Sequence, residues 1–135
     1  MTIQTGSDTQ GETQGTTVTV SQVVSKSLKE TWKLIVSKEG NEALLGKGGI
    51  IGDKGDEWHS EEGTFGVIRS YHPLEQIRFY WYAAEGAPKT VVEVVLSADG
   101  EGTLITISHQ RVPAYFDQTK LANRWQAAID NIVAL

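Results

Sequence analysis

The sequence predicts an α+β fold in which a curved antiparallel β-sheet wraps around one long C-terminal α-helix. In the middle of the chain apolar residues alternate with polar ones, as at Ile77, Phe79 and Trp81, which is the pattern of strands with one buried face. From Leu121 to Ile132 apolar residues recur at spacings of three and four, which indicates an amphipathic helix. Because this helix needs a partner surface, we expect it to lie against the inward face of the sheet, with a cavity where the two fit imperfectly.

The first half of the chain is predicted to combine strands with one or two short helices. Ser27 and Glu30 match a capping box, so a helix should begin there and continue to about Ser37. Gly40 is expected to end this helix, since glycine readily adopts the conformation that closes helices. The other elements expected here are a strand over residues 16–24, a short second helix over residues 41–45 and a strand over residues 57–60.

Two hairpins are predicted to supply the rest of the sheet. The first spans Glu61 to Trp81, and its turn is the segment from His72 to Glu75, because proline suits the first central position of a β-turn. The second joins strands over residues 90–97 and 103–110 through a glycine-containing turn at residues 98–102. Both hairpins alternate, so each should present one apolar face to the helix.

Length and composition limit the classes of function. The 135 residues suffice for one domain, expected over residues 16–135, after a polar segment over residues 1–15 that we expect to be a disordered tail. The 12 basic residues are scattered along a chain of net charge −5, so no nucleic-acid partner is expected, and Arg69 and Arg78 should face outward as solubilising charge. Without cysteine, a signal core or a long apolar run, the default is a cytoplasmic protein with no membrane span.

No motif indicates a metal, a nucleotide or an activated nucleophile. The acidic segment over residues 53–62 lacks the spacing of a calcium loop, and His59 has no helical histidine partner. The glycines over residues 46–55 are not followed by Gly-Lys-Ser/Thr, and no Gly-x-Ser-x-Gly elbow is present. We therefore assign no cofactor, no metal site and no catalytic residue.

An ordered set of local motifs runs through residues 16–135. The motifs lie at residues 27–32, 66–81, 92–96, 102–109 and 123–132. Together they resemble the helix-grip fold of the START/Bet v 1-like (SRPBCC) superfamily, and within it the activator of Hsp90 ATPase homologue (AHSA1-like) family. The resemblance implies a cavity between the sheet and the final helix that holds a hydrophobic or aromatic small molecule, for sequestration, transport or sensing.

Seven side chains are candidates for contact with such a ligand. They are Trp58, Phe65, Phe79, Trp81, His109, Tyr115 and Trp125. Aromatic walls are common in small-molecule pockets, although the same rings also serve as ordinary core. An inward His109 can orient a polar ligand group or act as a general base, and the alternative is a hydrogen-bonded structural histidine.

Two further functions stay open. A cyclase- or hydrolase-like enzyme could use the same cavity, but it needs a second polar group beside His109. The sequence offers only Tyr115, Arg111 at the cavity rim beside it, and Glu93, which alternation turns outward. The name of the resembled family implies a chaperone-associated protein-interaction module instead. In each case the protein is expected to be a monomer or a homodimer.

Overall fold

The fold is described over residues 15–135 from a computed structural model. Within these residues the chain forms six strands and three helices: β1 (Thr16–Val24), α1 (Leu28–Ile35), α2 (Lys38–Leu45), β2 (Glu57–His59), β3 (Phe65–His72), β4 (Gln76–Trp81), β5 (Thr90–Asp99), β6 (Gly102–Val112) and α3 (Gln118–Val133). The predicted disordered tail lies outside the described residues, apart from Gly15.

The strands form one antiparallel sheet in the order β1-β6-β5-β4-β3-β2. Strands β2 to β5 each pair with the next strand in sequence, and β1 pairs with β6. The helices α1 and α2 come between β1 and β2, which are the two edges of the sheet, so they carry the chain from one edge to the other. This arrangement confirms the predicted α+β layout of a curved sheet and a long C-terminal helix.

The core lies between α3 and the face of the sheet turned toward it, which we call the inner face. The buried stripe of α3 consists of the predicted residues Leu121, Trp125, Ala128, Ile129 and Ile132. The inner face opposite contributes Ile77, Phe79, Val92, Val94, Leu96, Ile105 and Ile107, all buried. Since a large apolar side chain contributes roughly 1.5–3 kcal/mol when fully buried, this layer is the main attachment of the helix to the sheet.

Both predicted hairpins are present. The sequence predicts the position of the first turn correctly and that of the second turn only approximately. The first turn lies where it is predicted, with the backbone N–H of Glu75 donating to the carbonyl of His72 at 3.0 Å. The second turn is shorter than predicted, because Asp99 still pairs with Gly102. Gly100 makes this tight loop possible by adopting a φ of 58°, a left-handed conformation that glycine reaches without strain.

The capping box that begins α1 is confirmed. Ser27 Oγ accepts from the backbone N–H of Glu30 at 3.1 Å, and Glu30 Oε1 accepts from the backbone N–H of Ser27 at 3.0 Å. The helix ends at Ile35, before the expected Ser37. Ser37 instead caps the start of α2, which is longer than the second helix expected over residues 41–45.

The prediction that Gly40 ends the first helix is wrong. Gly40 lies in the first turn of α2, where its N–H donates to Ser37 Oγ at 3.1 Å. A Cβ atom at this position would overlap the backbone carbonyl oxygens of Leu34 and Ile35 in α1. Glycine is therefore required here because the two consecutive helices approach so closely that no side chain fits between them.

Replacing Gly40 by alanine should destabilise the protein. In an exposed helix the same change stabilises by up to about 1 kcal/mol. Here we expect a loss of roughly 1–3 kcal/mol in the free energy of unfolding, measured by urea titration, because α1 and α2 must move apart. Glu39→Ala, at the exposed neighbouring position, is the control and should stay within about 0.5 kcal/mol. A Gly40→Ala protein as stable as the wild type would contradict this account of the helix contact.

Candidate functional site

Five of the seven predicted ligand-binding residues come together on the inner face. Phe79 and Trp81 point inward from β4, His109 from β6 and Trp58 from β2, and Trp125 meets them from α3. None of the five is more than 4% exposed. We call this group the inner aromatic cluster. The alternation of the strands and the stripe of the helix are what bring these residues to one place.

The rings of the cluster contact one another edge to face. The ring of Trp81 lies 4.8 Å from that of His109 and 6.2 Å from that of Trp125, measured between centroids. Trp58 and Phe79 are 5.7 Å apart with perpendicular planes. Such pairs contribute about 0.5–1.5 kcal/mol beyond their burial. The cluster is thus a packed layer of rings that helps to hold α3 on the sheet.

A hydrogen-bond chain runs through the cluster and joins α3 to three strands. Trp125 Nε1–H donates to His109 Nδ1 at 3.1 Å, so that nitrogen carries no proton. The ring proton is therefore on Nε2, which lies 2.8 Å from Thr90 Oγ1 and donates to it. The Thr90 hydroxyl in turn donates to the backbone carbonyl of Trp81 at 2.6 Å. Every group in this hydrogen-bond chain has a partner. The direction of the hydrogen bonds allows only the histidine tautomer that is protonated at Nε2.

The electrostatic environment keeps His109 neutral. Burial lowers the pKa of its imidazole to about 4, and the positive charge of Arg124 adds to this effect. Both ring nitrogens are already engaged, so neither is free to accept a proton from a substrate. The contacts therefore favour the structural interpretation of His109 over a general base.

The polar groups considered for an enzyme are dispersed. Tyr115 is 78% exposed in the segment before α3 and does not reach the cluster. Arg111 does not stand beside it at a cavity rim, since it lines a pocket on the opposite face of the sheet. Glu93 faces outward, as alternation predicts, and accepts from Gln76 Nε2 at 2.6 Å. No second ionisable group from this set converges on His109, which weakens the catalytic hypothesis.

Three buried N–H donors next to the cluster have no hydrogen-bond partner within residues 15–135. They are Trp58 Nε1, Trp81 Nε1 and Arg124 Nε. A buried donor left unsatisfied costs about 1–3 kcal/mol, and native proteins contain few of them. Two of these donors are indoles of a cluster whose third indole is fully bonded, so the cluster favours an added acceptor atom at either indole.

Arg124 connects α3 to the loop between β2 and β3 and covers two rings of the cluster. Its Nη2 donates to Glu62 Oε1 at 2.7 Å. Its guanidinium carbon lies 5.3 Å from the ring centre of Trp81 and 5.4 Å from that of Trp125, within the range of cation–π attraction. Because Arg124 is 29% exposed and the two rings are buried, the guanidinium lies between them and solvent.

Sequence reasoning did not find Arg124. A charged residue on a helix is ordinarily assigned to the solvated face, and this one directly precedes Trp125. The available signal was its spacing, three residues after Leu121 and four before Ala128, which puts it at the edge of the apolar stripe. A long cationic side chain at such an edge can cover apolar surface with its stem and keep its charge near water.

Phe65, the remaining candidate, lies on the opposite face of the sheet from the cluster. Its ring stacks on Tyr82, with centroids 4.7 Å apart and planes 4° from parallel. The pair lines an open groove of about 500 Å³, whose rim includes Glu57 and Glu85. Trp58 also lines this groove, so Phe65 lies near one member of the cluster but on the other face of the sheet, whereas the exposed Tyr115 does not reach the cluster.

The described residues offer no metal or membrane-spanning element. Residues 15–135 contain no group of three or more histidine, cysteine, aspartate or glutamate side chains placed to hold a metal ion. Over the same range no helix is both long and apolar enough to cross a bilayer.

Comparison with known proteins identifies the fold. No protein-family model and no curated protein matches this chain, but solved structures do. CalU16 from Micromonospora echinospora is 20% identical with a TM-score of 0.73, covering 87% of this chain and 76% of its own. DynU16, a protein of the dynemicin biosynthetic locus, is 17% identical with a TM-score of 0.69, covering 87% of this chain and 46% of its own. The Aha1 dimer from Colwellia psychrerythraea is 12% identical with a TM-score of 0.70, covering 87% of this chain and 93% of its own.

These likenesses establish the fold, a curved antiparallel sheet around a long C-terminal helix. They establish nothing finer, because at such low identity the side chains that line the interior can differ completely. One fold of this kind hosts many functions.

The pKa of His109 predicts a loss of stability in mild acid. The folded-state pKa of about 4 lies below the ordinary value of 6.5, so the unfolded chain binds more protons between these values. The stabilisation is therefore complete above about pH 6.5 and declines as the pH falls toward 4. We expect the free energy of unfolding to fall by on the order of 2 kcal/mol between pH 7 and pH 5 on account of this residue.

The measurement is urea unfolding at both pH values for the wild type, His109→Gln and His59→Gln. His109→Gln should be less stable at pH 7, because two hydrogen bonds are disturbed, and its pH dependence should be smaller than that of the wild type. His59→Gln removes an exposed histidine and should keep the wild-type dependence. An unchanged pH dependence in His109→Gln would show that this imidazole is not held neutral by the fold.

Proposed function

We propose that this protein binds a hydrophobic or aromatic small molecule between the sheet and α3, with an acceptor oxygen of the ligand facing the unpartnered donors. The single observation that carries the proposal is the pair of buried, unpartnered indole N–H donors of Trp58 and Trp81 in an otherwise apolar cluster. Apolar walls with a few convergent polar groups are the usual character of small-molecule sites. The role is sequestration, transport or sensing, since no set of catalytic groups accompanies the site.

The ligand enters where Arg124 now lies. The guanidinium sits over Trp81 and Trp125, and a planar ring can take the same place on these indoles once the arginine side chain withdraws. The ion pair with Glu62 and the cation–π contacts oppose that movement. The partly exposed pair contributes at most about 1 kcal/mol and each cation–π contact about 0.5–2 kcal/mol, so opening costs on the order of a few kcal/mol.

The proposal also covers the protein family, the cellular location and the oligomeric state. The ordered motifs from Ser27 to Ile132 support placement in the AHSA1-like branch, and we expect a cytoplasmic monomer or homodimer. The likeness to an Aha1 dimer concerns the fold, so the chaperone-associated role gains no specific support from the described residues.

Ligand binding should be visible at individual indoles. The four tryptophans give four indole N–H signals in a ¹⁵N-labelled protein, and a library of fatty acids, phenols and aromatic carboxylates is the probe. A binder should shift the signals of Trp58 and Trp81, because their N–H groups gain an acceptor. The signal of Trp32, on α1 against Tyr71, should not move.

A matched pair of variants tests whether the cluster is the site. Trp81→Phe removes one donor and part of one ring, and should weaken binding about tenfold, equivalent to about 1.4 kcal/mol. Trp32→Phe is the control and should leave the affinity unchanged. The proposal fails if no library member binds at high concentration, or if Trp81→Phe binds as tightly as the wild type.

The ion pair between Arg124 and Glu62 predicts an effect on the rate of ligand association. Glu62→Gln removes the charge that holds Arg124 in place, so ligand association followed by stopped-flow tryptophan fluorescence should become several-fold faster. Glu61→Gln changes the neighbouring residue, whose carboxylate lies 3.9 Å from Lys47 instead, and is the control. Equal association rates in the two variants would mean that Arg124 does not gate the interior.

A further inference from the structure

Five basic side chains converge on the outer face of the sheet, which is the face turned away from α3. They are Lys54, Arg69, Arg78, Lys89 and Arg111, and we call them the outer basic cluster. The sequence suggests that the 12 basic residues are scattered, and the fold instead gathers five of them around Tyr80. Such a concentration of positive charge is unexpected in a chain of net charge −5.

A β-bulge in β3 places Ser70 beside Arg69 on the outer face. Ile68 pairs with Phe79 on β4, and Ser70 pairs with Arg78, so Arg69 is an extra residue without a partner on β4. Strict alternation would send Arg69 and Ser70 to opposite faces. The bulge lets both line the outer pocket, while Ile68 remains buried on the inner face.

A second bulge, in β6, turns Arg111 toward the same pocket. Val18 on β1 pairs with His109, and Thr16 pairs with Val112, so β6 contains one residue more than β1 between these pairs. Arg111 adopts a φ of 61°, a left-handed conformation that is unfavourable for any residue with a Cβ. The bulge directs Arg111 outward although both His109 and Val112 are buried.

The cluster is only weakly compensated by acidic groups. Within residues 15–135 none of its five members forms an ion pair shorter than 4 Å. Lys89 Nζ lies 4.4 Å and Arg69 Cζ 5.1 Å from the ring centre of Tyr80, so two of the cations rest on one aromatic ring. Glu93 is in register with Arg78, but its carboxylate is bonded to Gln76.

The remaining acidic groups belong to the loop that carries Lys54. Asp53 and Asp56 flank it, and Asp56 Oδ2 accepts from the backbone N–H of Asp53 at 2.8 Å. These carboxylates keep their negative charge, but none of them forms an ion pair with the five basic groups. A bound anion can therefore still relieve the repulsion among the cations.

We propose that the outer basic cluster binds a phosphoryl group. Three arginines with planar, forked donors match the oxygens of a phosphate better than lysines do, and bidentate contacts of this kind are strong. The pocket they line has a volume of about 220 Å³, which suits the phosphoryl end of a small molecule or a lipid headgroup. The buried Val91 forms part of its base. A bulge that turns Arg111 into this pocket, in a left-handed conformation unfavourable for arginine, indicates a site rather than a solubilised surface.

The test is a titration of the full-length ¹⁵N-labelled protein with inorganic phosphate, against sodium chloride of equal ionic strength. A parallel sedimentation assay uses phosphatidylcholine vesicles with and without phosphatidic acid. The variants are Arg69→Gln and Arg111→Gly. Glycine keeps the left-handed backbone at residue 111, so this variant should be at least as stable as the wild type to heat. The control is Lys29→Gln, an exposed position on α1.

We expect phosphate to shift backbone signals of β3, β4 and β6 around the pocket, and each arginine variant to weaken binding about tenfold while Lys29→Gln does not. Binding to phosphatidic acid vesicles without binding to free phosphate would identify the source as a lipid headgroup, with the same dependence on Arg69 and Arg111. The proposal is overturned if neither probe binds, or if the control weakens binding as much as the arginine variants. Because this pocket and the inner aromatic cluster lie on opposite faces of the sheet, either result leaves the ligand proposal for the interior unaffected.

Discussion

The hydrogen-bond chain from Trp125 through His109 and Thr90 to the Trp81 carbonyl is the constraint on which the rest of the interior depends. Apolar packing alone is not directional, so a helix on a concave sheet can rotate or slide at little cost. A buried chain of donors and acceptors permits one rotation only, because breaking any link leaves a polar group unsatisfied at about 1–3 kcal/mol. Because this rotation of α3 is set, Arg124, the residue before Trp125, lies over the rings of Trp81 and Trp125.

The three indoles of the inner aromatic cluster differ in their hydrogen bonding. The N–H of Trp125 is bonded, whereas those of Trp58 and Trp81 are buried without a partner within residues 15–135. A sheet–helix core built only for stability would gain from phenylalanine at the two unpartnered positions, since a ring without an N–H carries no desolvation cost. Retaining indoles there is consistent with an interior that receives an acceptor from a ligand, and the guanidinium of Arg124 lies over the Trp81 ring.

Strand β4 serves both proposed sites because its side chains alternate. Phe79 and Trp81 face the interior, and Arg78 and Tyr80 face the outer basic cluster. Alternation is readable from sequence, which is why the inward positions of β4 and β6 could be predicted. Bulges are not readable in this way, because one extra residue changes the face of a side chain without changing its neighbours in sequence. Arg111 was therefore assigned to the wrong surface, and the convergence of the basic residues was not anticipated.

By itself the sequence determined the order of the elements, the apolar faces of β4, β5, β6 and α3, and the capping box of α1, because each depends on residues close together in the chain. Only the tertiary structure decided the rest: that Gly40 separates two touching helices, that His109 is a bonded neutral link rather than a base, and that Arg124 covers the cluster. These properties depend on the distance between atoms of different elements and on whether a polar atom finds a partner. Contacts of that kind arise from the packing of elements far apart in sequence, which local patterns do not encode.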